Sequence, residues 1–253
     1  MSRTLLERSE SQPGCKLPDV PTEWTPEAIE RLLSDLETLY GRPRFVPRFD
    51  PVEELVSCIL SQHTADANSF PAFTRLRETY PDWQAVVDAG PEAVAEVVRQ
   101  AGLANQKARS IVGALKAIRE RVGSYSLDHL RDLPMEEARA WLMDLPGVGP
   151  KTASIVLCFS FGMGAIPVDT HVFRVGWRLG LYDRKIGEAK AHDALLRLVP
   201  PGLAFRFHTT LIQHGRHLCS AQKPACDRCP VRDRCAWFLS GGPESAARPK
   251  RPK

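Results

Sequence analysis

The 253-residue chain holds no apolar run approaching the length of a membrane-spanning helix, so no transmembrane segment is expected. Its N-terminus mixes Arg3 and Arg8 with Glu7 and Glu10 and leads into no apolar stretch, which does not read as an export leader. The expected location is therefore the cytoplasm. Period-two alternation is lacking too: Ala165 to Val168 is apolar, but it is short and contains Pro167, so no strand is expected. No repeat of fixed period is present, which argues against a solenoid or propeller. Excess charge is small: 34 Lys plus Arg face 30 Asp plus Glu, leaving +4, a balance that permits a nucleic-acid partner without requiring one. Nor is there a disulfide framework. The seven cysteines are odd in number, and Cys15, Cys58 and Cys158 are scattered, the last two within apolar runs that suit core positions.

What remains is helix. At 43% hydrophobic and 25% charged, the chain has globular values and enough length for one large core or two modest ones. Thr25 and Pro26 cap and open a helix with Ile29, Leu32, Leu33, Leu36 and Leu39 at helical spacing. Residues 41–49, with Pro43, Pro47 and three arginines, read as a linker, after which Asp50-Pro51-Val52-Glu53 opens a second helix. Val52, Leu55, Val56, Ile59 and Leu60 form its inward face. Helical patterns follow over 91–101, from a cap at Asn105 to Val122, and over 134–144, 150–161, 170–180, 188–199 and 203–214. Residues 1–21 read as a flexible arm, and 240–253 as a basic, helix-averse tail that either solubilises the chain or adds attraction to phosphate. The predicted fold class is all-α.

Two helical runs are joined by Leu145-Pro146-Gly147-Val148-Gly149-Pro150-Lys151-Thr152-Ala153, which makes a helical hairpin. Gly147 and Gly149 permit positive φ and close backbone approach, so the turn can aim free N–H groups, with the following helix N-terminus, at an anion such as a nucleic-acid phosphate. Lys151 falls in the first turn of the second helix, and an amine that gives up its proton is a nucleophile. On this stretch alone, a glycine-proline connector with a solvated lysine fits as well. Shortly after comes Val168-Asp169-Thr170-His171-Val172, in which Asp169 suits the cap of the next helix.

Near the C-terminus, Cys219, Cys226, Cys229 and Cys235 stand in C-x6-C-x2-C-x5-C spacing, bounded by Pro224 and Pro230 and interleaved with Lys223, Arg228, Arg232 and Arg234. Four thiolates so close imply a metal centre. A four-cysteine zinc site is the alternative, but zinc modules usually offer two close pairs and only one is present, so the spacing better suits the separated corners of an iron–sulfur cluster. A segment this charged buries too little apolar area to order itself, and metal bonds would supply that folding energy.

Taken together, the hairpin, the Val168–Val172 segment and the cysteine array resemble the helix-hairpin-helix glycosylases of the endonuclease III family, over about residues 26–238. The resemblance implies a two-lobed fold. A continuous six-helix block at 44–162 would hold the hairpin, and a discontinuous lobe, 22–43 plus 163–239, would hold a [4Fe-4S] cluster on the four cysteines, with DNA across the cleft. It also implies a bifunctional DNA glycosylase and abasic-site lyase of base excision repair, a monomer in the nucleoid. The substrate would be double-stranded DNA containing oxidised pyrimidines or abasic sites. In the family the hairpin lysine is the Schiff-base nucleophile and the aspartate of the V-D-T-H segment its carboxylate partner; these fall on Lys151 and Asp169. Monofunctional relatives generally lack that amine. The target base must be extruded and its place filled. Leu60 to Asp66 resembles one intercalating loop, with either Gln62 or His63 as its wedge; Gly102 to Lys107 resembles the other, with Leu103 as wedge or core residue and Lys107 as a phosphate contact. Gly147, Gly149, His171 and Arg216 complete the expected DNA-binding set, Arg216 facing either phosphate or a packed carboxylate. Pro150 departs from the pattern, standing where many relatives carry arginine or lysine, which removes a charge and an N–H beside the phosphate.

Overall fold

The computed structural model describes residues 24–242, so the expected arm at 1–21, Cys15 and most of the expected tail lie outside the described residues. Among them the regular elements are helices: α1 (Pro26–Tyr40), α2 (Pro51–Ser61), α3 (Asp66–Thr79), α4 (Trp83–Val97), α5 (Ala104–Val122), α6 (Met135–Met143), α7 (Pro150–Phe161), α8 (Thr170–Leu179), α9 (Gly187–Leu198), α10 (Ala204–His217) and the short α11 (Ala236–Leu239), with 3-10 turns between some of them. The described residues form an all-α fold, as expected. None of the described helices is long and apolar enough to cross a membrane.

Local chemistry sets the helix starts. Thr25 Oγ1 accepts from the Ala28 N–H at 3.2 Å, and Asp50 Oδ1 accepts from the Val52 and Glu53 N–H groups at 2.9 and 3.0 Å. Each such cap is worth about 1 kcal/mol. Pro26, Pro51 and Pro150 occupy first helical turns, where the missing N–H costs nothing.

Several expectations need correcting. The helix anticipated over 91–101 is the second half of α4, which kinks at Gly90 (φ 76°), and a separate 3-10 turn at Arg99–Ala101. Asn105 is not a cap: α5 starts at Ala104 behind Leu103, which sits in the left-handed region at φ 49° and offers no side-chain acceptor. Leu39, one step beyond the inward face of α1, is 46% exposed. The last long helix runs on to His217 because its polar end is held by contacts with the cysteine segment, where the Cys219 N–H donates to the His214 carbonyl at 2.7 Å.

Burial collects in two cores. One joins α2 to α7, centred on residues such as Leu55, Ile59, Ile111, Leu115, Val156 and Leu157; the other joins α1 to α8, α9 and α10 through Leu32, Leu36, Val172, Leu195, Phe207 and Leu211. Burying each such side chain contributes roughly 1.5–3 kcal/mol, which is why α1 docks far from its sequence neighbours. The buried Arg206 fixes that docking, reaching Glu30 and Glu37 of α1, each at 2.5 Å. Arg234 pairs with Asp35 and ties the cysteine segment to the same helix. Helix α7 touches α2 and α6 on one side and α10 on the other, so the hairpin's second helix faces both cores.

Candidate active site and cluster site

The hairpin turn between α6 and α7 depends on one glycine for its shape. Gly147 adopts φ 77°, and a Cβ there would meet Ser110 of α5 at 2.4 Å, so only glycine allows this approach. Gly149 differs from expectation: at φ −102° it is extended, it precedes α7, and nothing crowds the position of a side chain. Gln62, at the end of α2, is half-buried and donates through Nε2 to the Gly147 carbonyl at 2.9 Å and to Thr152 Oγ1 at 3.2 Å. Its neighbour His63 is exposed, with φ 53°.

From the first turn of α7, exposed Lys151 borders a cavity of about 540 Å³ that Asp169 also lines. That size falls within the roughly 300–1,000 Å³ typical of small-ligand sites. The capping reading of Asp169 holds: its Oδ1 caps α8 by accepting the Val172 N–H at 2.7 Å, while the residue stays half-buried at the cavity wall. The cavity lies between α2, α3 and α7 on one side and α10 on the other. His208 of α10 lines it too; its Nδ1 lies 2.8 Å from the Pro167 carbonyl, and burial pushes its pKa down to about 4 against the opposing pull of Asp169. Two exposed apolar side chains, Val46 at 72% and Phe70 at 56%, stand among the lining residues. Aromatic faces of this kind accept a stacked base.

Other expected DNA contacts divide. Leu103 is 58% exposed, which removes the core reading. Lys107 is a correction: it is 3% exposed, and its ammonium donates to the Leu60 and Ala101 carbonyls at 2.6 and 2.8 Å and to Thr64 Oγ1 at 2.6 Å. All three of its protons are taken, so it fastens the two loops together and offers nothing to a phosphate. Desolvation lowers its pKa. His171 is half-buried with Nδ1 3.1 Å from Arg174 Nη2, and its Cβ would crowd any side chain at Gly215. Arg216 reaches the Asp66 carboxylate at 3.4 Å, but both side chains are exposed, so this is a surface ion pair and not the packed carboxylate expected.

Arg48 and Glu54 also line the cavity, and neither was singled out in the sequence. The signal was present for Glu54, an acid one helical turn before Cys58 on the face of α2 that is otherwise apolar. Cys58 and Cys158 are buried, as expected, and burial drives both thiols up, with the Glu54 carboxylate acting in the same direction on Cys58.

Cys219, Cys226, Cys229 and Cys235 all line one small enclosed space between α8, α10 and α11, and none forms a disulfide. Among the described residues no three His, Cys, Asp or Glu groups converge as ligands of one ion do. The four cysteines share the lining of one space, where a cuboidal cluster would sit. Burial pushes the Cys229 and Cys235 thiols up to about 12 and 11, so bound iron is what would hold them as thiolates. Arg178 Nη1 donates to Cys219 Sγ at 3.3 Å and His214 Nε2 lies 3.7 Å from Cys229 Sγ, partners that stabilise sulfur-borne negative charge. The residues fit a [4Fe-4S] cluster.

Comparison with known proteins agrees. Residues 56–201 match the HhH-GPD superfamily of base excision DNA repair proteins, and residues 219–235 match the iron-sulfur binding domain of endonuclease III. Endonuclease III of Thermotoga maritima is 34% identical over 214 residues, covering 85% of this chain and 95% of that protein. Endonuclease III of Escherichia coli K12 is 35% identical over 187 residues, covering 74% and 84%. Among solved structures, a trapped endonuclease III–DNA covalent intermediate superposes with a TM-score of 0.72 at 30% identity, covering 86% of this chain and 98% of that one. A non-covalent endonuclease III–DNA complex gives 0.71 at 30% identity, covering 86% and 97%. A hairpin built on Gly147, a lysine and an aspartate on one cavity, and four cysteines around one space thus belong with these matches: the chain is a member of the endonuclease III family of base excision repair DNA glycosylases and abasic-site lyases, carrying a [4Fe-4S] cluster.

Proposed function

We propose that Lys151 is the nucleophile and Asp169 its carboxylate partner in the excision of oxidised pyrimidines from duplex DNA. The observation that carries this is their shared cavity, where an amine and a carboxylate both border a space fit for an extruded nucleotide. As the glycosidic bond lengthens, positive charge grows on the sugar and Asp169 stabilises it. The Lys151 amine bonds to C1′ and the base departs with the bonding electrons and gains a proton. Opening of the sugar ring gives a Schiff base, which acidifies the C2′ hydrogen; its loss expels the 3′ phosphate by β-elimination. The similarity to a trapped covalent endonuclease III–DNA intermediate supports this assignment.

In the same reading, two domains, 44–162 and 22–43 with 163–239, grip one DNA duplex as a monomer in the nucleoid; the two cores follow this division except that Met163 and Ala165 pack with the first core. His63 and Leu103, both exposed and both in left-handed backbone, are the wedges; Gln62 positions the loop. Borohydride decides the chemistry. Reduction on a duplex with a single abasic site should trap a covalent adduct with the natural chain and none with Lys151→Ala; an adduct persisting in that variant would refute the assignment.

A further inference from the structure

We propose that Glu54, with Arg48, reads the Watson–Crick edge of the extruded base and selects lesions that keep an N3–H beside a carbonyl, the edge shared by saturated thymine and uracil derivatives. This rests on the proposed use of the cavity by an extruded nucleotide. Glu54 is 1% exposed and lies on the cavity wall with Lys151. Its Oε1 accepts from Arg48 Nη2 at 2.6 Å and lies 3.6 Å from Cys58 Sγ, whereas its Oε2 is closed to solvent and has no hydrogen-bond partner among the described residues. A buried acceptor left unmade costs about 1–3 kcal/mol, so the free protein carries a deficit that a ligand N–H would cancel.

Arg48 is the movable half of the pair. Its side chain is 55% exposed and belongs to the non-helical segment between α1 and α2, while Glu54 is fixed in the first turn of α2. A shift of the guanidinium towards the cavity uncovers the carboxylate and places donors beside an acceptor. A carboxylate accepts only, and a guanidinium donates only, so together they complement an N–H next to a C=O. The imide N3–H of a saturated thymine is a more acidic donor than the amino group of a cytosine derivative, and charge-assisted bonds favour the stronger donor.

The test uses the full-length holoprotein and three duplexes, bearing 5,6-dihydrothymine, its N3-methyl analogue, or a preformed abasic site. The natural chain should excise dihydrothymine about 10- to 100-fold faster than the N3-methyl lesion. In Glu54→Gln and Glu54→Leu that preference should collapse towards unity, and the ratio of base excision to cleavage at the abasic site should fall by a similar factor. Preserved discrimination in Glu54→Gln would overturn the proposal and leave Glu54 as a structural ion-pair partner. So would equal excision of both lesions by the natural chain. If Glu54→Leu misfolds, both activities fall together and the Gln variant, equal in size, decides. Failure of the natural chain to form a borohydride adduct on the abasic duplex would instead refute the nucleophile, a separate result.

Discussion

Gln62 Nε2 donates to the carbonyl of Gly147 at 2.9 Å, lacing the loop after α2 to the turn of the hairpin. The bond gives the two neighbours Gln62 and His63 different tasks. Gln62 is occupied inside the protein, whereas His63 stands exposed on a left-handed backbone that L residues adopt at a cost of about 1 kcal/mol. His63→Ala should therefore weaken binding to a duplex with an abasic site several-fold while leaving the melting temperature nearly unchanged. Gln62→Ala should do the reverse in part, lowering the melting temperature by loosening the hairpin. Equal binding by the natural chain and His63→Ala would remove His63 from the wedge.

Lys107 is predicted to act on stability and not on phosphate. Replacing it with methionine keeps the length of the side chain but strands the Leu60 carbonyl, while the Ala101 carbonyl keeps the Thr64 hydroxyl as a donor, so the cost is on the order of 1–3 kcal/mol for one buried acceptor. Denaturant unfolding should show that loss. The slope of DNA affinity against salt should stay as in the natural chain, because no phosphate contact disappears; a slope reduced by about one charge would restore the phosphate role.

These two positions show where sequence stops being informative. Caps at Thr25 and Asp50 and the proline starts are local, set by residues within one turn of each other, and they read directly. The cysteine spacing is local too. Lys107 and Glu54 are different: their partners lie 47 residues away at Leu60 and six away at the linker's Arg48, and only the packed fold decides whether a charge faces water. Leu39 failed for the related reason that helical period alone cannot show where the partner surface ends.

Acid should destabilise the fold through buried histidine. His192 is 3% exposed with Nδ1 3.0 Å from the Ile166 carbonyl, and its pKa is lowered to about 4, chiefly by desolvation, with Arg139 adding to the shift and Asp193 opposing it. A folded-state value below the unfolded one means that the unfolded chain binds the proton first. Stability is full above about pH 6.5 and drains as the pH falls towards 4. Between pH 7 and pH 5 the contribution of this one group is roughly 2 kcal/mol. Thermal unfolding of His192→Asn should be less stable at pH 7 but lose less on acidification; identical losses in the two proteins would show that His192 is not the group responsible.

Leu103 offers a test in which folding and binding move in opposite directions. It follows Gly102 at φ 65° and precedes α5 at φ 49°, with 58% of its surface exposed, so it is strained and makes little use of burial. Glycine at 103 would release the backbone strain and remove an exposed apolar side chain, whereas an alanine would keep the strain and remove most of the apolar bulk. Leu103→Gly should therefore unfold no more easily than Leu103→Ala, and both should bind a lesion-bearing duplex more weakly than the natural chain. An apolar wedge is useful only where base pairs are pushed apart, so the loss should be larger on a duplex with an extruded base than on an intact one. If both variants lose affinity equally for intact and damaged duplexes, Leu103 touches the groove surface without entering the stack.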